Sequence, residues 1–334
     1  DIARRRCPAR EDGACSHCSP CDITTGWGGA GAFSDGKLTL TAEVGGWLGE
    51  YVGAAAMDGL IAAVDRTYRD FGAPDKLYGD DPEVFDHWSD VAARQGLRLV
   101  RSPVRHLGTE RAGQVLAAMR AELEGKVDVA TGVLVTRILT EETGAQPSRR
   151  AGDRPLQPGT VRVTGVETAA GDIYESPKVI VAPGREGSAW LSAEARRLGI
   201  PLVSNAVDIG VRVEGPAVVT DAITDVLYEP KLLYTSKHFE DQVRTFCMNP
   251  RGVVCTESWG DAVTVNGHSY ADAGLKTANT NFALLVSTRF TEPFKEPIEY
   301  GKSIARLANM LGKDTLVQRL GDLRAGHRTT PERL

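Results

Sequence analysis

The 334 residues are 42% hydrophobic and 25% charged and carry a net charge of −5. At roughly 150 residues per domain this length accommodates two domains, and the acidic balance argues against nucleic acid or an anionic membrane as the main partner. No apolar stretch reaches the roughly 18 residues a spanning helix needs, so no membrane span is expected and a cytoplasmic location is.

Six cysteines, four of them before position 22, are too few to form a disulfide scaffold in a chain of this size. Cys7, Cys15, Cys18 and Cys21 instead have thiolate spacing suited to an iron–sulfur cluster or zinc, with free thiols as the alternative. Directly after them, Gly26-Trp27-Gly28-Gly29-Ala30-Gly31 satisfies G-x-G-x-x-G. A dinucleotide fingerprint needs a buried strand before it and a helix after it. CDITT makes a poor buried strand and AFSDGKLTL is no helix, so two readings stay open. One is a glycine-rich turn packed on other backbone. The other is a second glycine segment along a cofactor, with Ser34 and Lys37 offering a hydroxyl and a cation to phosphate oxygens.

Apolar residues recur at helical spacing from Tyr51 to Asp70, which predicts a helix with a core-facing stripe. Pro82 suits the first turn of a second helix that Gly96 ends, and Thr109 opens a third that Gly125 closes. LRLVRSPV reads as a short strand between them, and VDVATGVLVTRIL as two short strands or one kinked at Gly132. Residues 141–159, polar and rich in proline and glycine, form a mobile insertion by composition. VRVTGVET and DIYES follow as strand, turn and strand.

KVIVA, apolar on both faces, predicts a buried strand of a parallel sheet that ends in the turn Pro183-Gly184-Arg185. GSAWLSAEARRLG is a helix. From VDIGVRVEG to LVSTRF the chain is mostly extended, with VVCTES and AVTVNG paired, and helices at Ile298 to Leu311 and Leu316 to Leu323 finish it. Cys247 and the run Asn266, Gly267, His268, Ser269 lie among turn residues here, as candidates for either a structural or a substrate-facing role. No Ser/His/Asp triad spacing, H-E-x-x-H or Walker A pattern is present to carry hydrolysis or phosphoryl transfer.

GWGGAGAFSDGKL after clustered cysteines, VIVAPGREG, VDIGVRVEGP, TFCMNPRG and NFALLVSTRFTEP, in that order, resemble the bacterial and archaeal FAD-dependent dehydrogenases. The likeness runs from about Cys7 to Arg328. It implies a flavoprotein of the glutathione-reductase type, with FAD across a Rossmann core, and hence an oxidoreductase with a small-molecule substrate and an electron partner. The fold it implies is α/β: a partial FAD/NAD(P)-binding Rossmann-like domain over residues 1–206 and a β-rich (α+β) substrate domain over residues 207–334. The family's opening strand and fingerprint helix and its closing glycine segment are missing here, so the resemblance implies the middle of a longer protein.

Residue by residue, the resemblance places Gly28, Gly29, Gly31, Ser34, Asp35 and Lys37 near the flavin or pyrophosphate. It puts the Val135 backbone beside the adenine, and Ala182, Pro183, Gly184 and Arg185 along the cofactor. Asn249 stands where the family commonly has a second cysteine. A different class of function is also consistent with the residues, a metal or iron–sulfur module built on the four N-terminal cysteines, with no flavin chemistry of its own.

Overall fold

A computed structural model describes residues 25–142, 161–184, 186–259, 262–290, 296–312 and 315–334. The protein is mixed α/β, and every strand pair among the described residues is antiparallel.

The glycine segment forms a 3-10 turn at Gly29–Phe33 and passes through Asp35 into strand β1 (Lys37–Thr39). Helices α1 (Leu48–Val52) and α2 (Ala54–Asp70) replace the single predicted helix, because Gly53 at φ 84 breaks it. Helix α3 (Pro82–Arg94) starts where the sequence predicts. The Asp81 carboxylate caps it by accepting from the Glu83 and Val84 N–H groups, and Pro82 gives up only an amide that had no helical partner. Strands β2 (Arg98–Val100) and β3 (Val104–His106) split the expected single strand, and α4 (Thr109–Leu123) follows.

β3 pairs with β1, setting Lys37 opposite His106. Helix α4 packs beneath the glycine turn, where Trp27 Nε1 donates to the Leu116 carbonyl at 3.2 Å. Leu107, Val115 and Ala73 are buried together there, with Leu38, Tyr68, Phe71 and Met119 around them.

The core-facing stripe expected along α2 is not seen. The helix has no buried residue, and Leu60 and Val64 are 45% and 49% exposed. Tyr68 near its end packs against the Leu107 cluster, and a bidentate ion pair holds its middle, in which the buried Arg105 guanidinium of β3 meets Asp65 at 2.6 and 2.9 Å. Helical periodicity identifies an amphipathic element but not the surface that would cover it.

Strand β4 (Val135–Glu142) begins after Gly132 and pairs with β5 (Val161–Thr168), which pairs with β6 (Ile173–Glu175). Helix α5 (Ser188–Arg197) packs on β4: Glu194 accepts from the Ile138 N–H at 2.9 Å, and Arg197 donates to the Ile138 carbonyl at 2.6 Å. Residues 143–160, most of the predicted insertion, lie outside the described residues.

KVIVA is not a strand. Residues 178–182 pair with no described strand, and Ile180 is 96% exposed. A β-branched run favours extended backbone, but a strand exists only where a neighbour accepts its hydrogen bonds. The parallel sheet predicted from this run is therefore absent from the described residues.

The second half is built on a five-stranded sheet. It contains β7 (Val207–Pro216), β8 (Lys231–Thr235), β9 (Gln242–Asn249) and β12 (Asn279–Thr288), and β2 from the first half completes it in the order β2-β8-β9-β12-β7. Between β7 and β8, helix α6 (Asp221–Leu227) joins α3 in a second apolar cluster formed by Ala92, Leu99 and Leu227. The predicted hairpin is present as β10 (Val253–Trp259) and β11 (Ala262–His268), and it lies against β12 and β9. Helix α7 (Pro297–Gly312) is fastened to β11 by reciprocal bonds between the Asn309 amide and the Val263 backbone, both 2.9 Å. The last predicted helix shortens to α8 (Leu320–Arg324).

Candidate functional site

The two halves meet in a buried polar centre. Its entry point is Gly36, whose φ of +63 suits glycine, and a Cβ there would stand 2.9 Å from that of Leu107 and 3.1 Å from that of Ala112. This close approach sends Asp35 and Lys37 inward. The chain is held by bonds from Leu107 N to Gly36 O (2.9 Å) and from Gly108 N to Asp35 O (3.0 Å).

Lys37 Nζ then meets Asp35 Oδ2 at 3.1 Å, Glu229 Oε2 at 3.2 Å and the Met248 carbonyl at 2.9 Å. Lys231 Nζ closes the row on Glu229 Oε1 at 3.0 Å. Two cations and two carboxylates alternate, so the buried charges compensate one another locally. Burial alone would push the Lys37 ammonium down, but Asp35 and Glu229 override it and hold the group above the ordinary lysine range. Burial would likewise raise Glu229, and Lys37 and Lys231 outweigh that and hold it below the usual carboxylate value.

Beside this row, the Tyr228 hydroxyl lies 2.8 Å from both His106 Nε2 and Ser269 Oγ, and Ser269 donates to Asp35 Oδ2 at 3.3 Å. The His106 ring stacks on Tyr228 at 4.3 Å between centroids. Burial, with Lys37, Lys276 and Arg111 nearby, pushes His106 down to about 3, so the imidazole is neutral at physiological pH. Burial raises the Tyr228 phenol, which stays protonated.

Two non-glycine residues in this centre adopt strained backbone, Tyr228 at φ 58 and Cys247 at φ 45. Cys247 sits in a β-bulge. Asn281 and Ala283 of β12 face Asn249 and Phe246 of β9, so β9 carries one residue more than its partner over this stretch. The bulge re-aims the cysteine out of the regular pleat. Its sulfur lies 3.7 Å from Lys37 Nζ and 3.8 Å from both Asn249 Nδ2 and Asn266 Oδ1. Bulges and strained residues of this kind persist where surrounding contacts enforce them, and they cluster at functional sites.

Of the residues singled out from sequence, Asp35, Lys37, Cys247, Asn266 and Ser269 are thus brought together. Ser34 stays local, its hydroxyl accepting from the Gly36 N–H at 3.1 Å. Gly28 and Gly29 take positive φ of 80 and 49, and a Cβ at Gly31 would meet no described atom within 4 Å. Lys37 differs from expectation: its ammonium is ion-paired with Asp35 and Glu229 and donates to the Met248 carbonyl, so the cation read as a phosphate ligand is held by the protein's own oxygens.

No hydrogen bond or ion pair among the described residues joins Val135, Ala182, Pro183 or Gly184 to this centre. Val135 pairs with Thr168 in β5, and residues 182–184 run irregularly ahead of α5. Arg185 and the proposed metal ligands Cys7, Cys15, Cys18 and Cys21 lie outside the described residues. Among the described residues no group of three or more His, Cys, Asp or Glu is placed to hold a metal.

Sequence reasoning missed His106, Tyr228, Glu229, Lys231, Arg212 and Asn281. One signal was available: Arg212 is a lone cation in the extended run VDIGVRV, and such a residue needs partners. No helix of the described residues is long and apolar enough to cross a membrane. No protein-family model matches the chain, and no curated protein matches it either.

Proposed function

We propose that the protein is an FAD-dependent oxidoreductase acting on a small-molecule substrate. The observation that carries this reading is the glycine segment. Its backbone is open at Gly31, turns through two positive-φ glycines, and is anchored at its far end in the Asp35–Lys37–Glu229 row. Bare backbone of this sort lets a flat or anionic cofactor approach more closely than side chains allow. Gly28, Gly29 and Gly31, with the Ser34 hydroxyl, would hold the cofactor, and FAD when bound supplies the electron chemistry.

On this reading Lys37 and Asp35 are positioning residues. They fix the end of the glycine segment against the bulge of β9, and so couple the cofactor-binding backbone to the residues around Cys247. The same centre is buried and holds its protons on stated atoms, with the Tyr228 phenol protonated and His106 neutral. The resemblance of GWGGAGAFSDGKL and TFCMNPRG to the FAD-dependent dehydrogenases supports the reading, because these two strings contribute Asp35, Lys37 and Cys247 to one centre.

The test is the colour of the protein expressed from its complete open reading frame. It should be purified yellow, with flavin absorbance bands released on denaturation, or should acquire them when FAD is added. A colourless protein whose spectrum is the plain sum of protein and free FAD overturns the proposal.

A further inference from the structure

Arg212, on β7, is a cation with no carboxylate at ion-pair distance among the described residues. Its Nη1 donates to Asn281 Oδ1 at 2.6 Å and to the Cys247 carbonyl at 3.2 Å, and its Nη2 donates to Asn266 Oδ1 at 3.2 Å. Its Nε is buried with no acceptor. Asn249 and Asn281, both 0% exposed, share this cluster and each keeps an unpartnered end, Asn249 Oδ1 and Asn281 Nδ2.

Those ends cannot be exchanged by turning the amides. Asn281 Oδ1 accepts from both Arg212 and Asn249 Nδ2, and Asn249 Nδ2 also donates to the Cys247 carbonyl at 2.8 Å. Gly267 makes room for the cluster, since a Cβ there would fall 2.3 Å from Asn281 Oδ1 and 2.6 Å from Arg212 Nη1. Two buried donor groups and one formal positive charge thus want an acceptor that the described residues do not supply.

Cys247 stands at the edge of this cluster, half-buried, strained at φ 45 and unpaired with any other described cysteine. Its thiol faces Asn266 Oδ1, which also accepts from Arg212, while Lys37 Nζ and Asn249 Nδ2 lie on hydrogen-bond lines to the sulfur. When the proton leaves, the Lys37 ammonium donates to the thiolate.

We propose that Cys247 is a reactive thiol for small carbon electrophiles that carry a carboxylate, with Arg212 receiving the carboxylate. In the step, the thiol loses its proton to solvent and the sulfur lone pair forms an S–C bond. The bond from that carbon to the leaving group breaks, and the leaving group departs with the electron pair. This site stands on the Arg212 cluster alone and holds whether or not flavin binds.

Iodoacetate and iodoacetamide test it, because they deliver the same carbon with the same leaving iodide and differ in charge. Alkylation of the folded protein is followed residue by residue by peptide mass mapping, with Cys255 as the in-chain reference. Cys247 should react faster than Cys255, and its iodoacetate-to-iodoacetamide rate ratio should exceed that at Cys255 by about tenfold, the size of one nearby charge at a part-buried site. Arg212→Gln should bring the iodoacetate-to-iodoacetamide ratio at Cys247 down to that at Cys255. Acetate, which has no leaving group, should protect Cys247 from iodoacetate in the unsubstituted protein. Equal ratios at the two cysteines, or a Cys247 no faster than Cys255, overturn the proposal, and this comparison needs no variant to fold.

Discussion

His106 gives the polar centre a pH signature of its own. The ring is 6% exposed and its pKa falls from an ordinary 6.5 to about 3. Below the ordinary value the unfolded chain takes up a proton that the folded chain refuses, so the unfolded state binds more protons and stability falls as pH falls. The contribution is complete above 6.5 and is lost progressively toward 3. Linkage over that shift gives a loss of about 2 kcal/mol between about pH 7 and about pH 5.

That window lies above the pH at which the depressed carboxylates act. Glu194, held at about 2 chiefly by its hydrogen bond with Arg197, loses its contribution only as pH falls from 4.5 toward that value. The assay is urea unfolding at the two pH values for the unsubstituted protein and for His106→Gln, which keeps a polar side chain beside Tyr228 and cannot titrate. The variant should lose the extra pH sensitivity, flattening the difference by about 2 kcal/mol. An identical pH dependence in both proteins, or a His106 ring resonance titrating near 6.5 in the folded protein, refutes the reasoning.

Lys37→Met removes the cation that bridges the buried Asp35 and Glu229 and leaves only Lys231, on Glu229, in the row, and unfolding in urea should show a loss of about 3–5 kcal/mol. Adding Glu229→Gln to that variant should recover part of the loss, and a purely additive double variant would show that the row is not coupled. Gly36→Ala combines a φ of +63 with a 2.9 Å approach to Leu107 Cβ, and should lower stability by about 2–4 kcal/mol, measured the same way. A change within about 0.5 kcal/mol would mean that the backbone relaxes freely at this point.

The legible parts of the fold were those with local punctuation. Pro82 after Asp81, Thr109 after Gly108 and the β10–β11 alternation each carry their structure within a few residues. KVIVA was misread because nothing in a run of five apolar residues says whether another strand will lie beside it. The candidate site was half legible. The strings containing Asp35, Lys37, Cys247 and Ser269 drew attention, but their meeting depends on contacts between residues 210 and 234 positions apart. Periodicity and motif spacing are blind at that range. The bulge that turns Cys247 is equally hidden, since it arises from register against β12 and a non-glycine residue gives no hint of positive φ.

Binding of FAD at the glycine segment is the central claim, and Gly31 is where it can be tested with least disturbance. A Cβ there meets no described atom within 4 Å and the position is exposed, so Gly31→Leu should unfold in urea within about 1 kcal/mol of the unsubstituted protein. The measurement is an FAD titration of both proteins, followed by quenching of flavin fluorescence. The account predicts saturable binding by the unsubstituted protein and at least about a tenfold loss of affinity in Gly31→Leu, from the steric clash with a cofactor lying on that backbone. Equal affinities in the two proteins, or no binding by either when expressed from the complete reading frame, would contradict it.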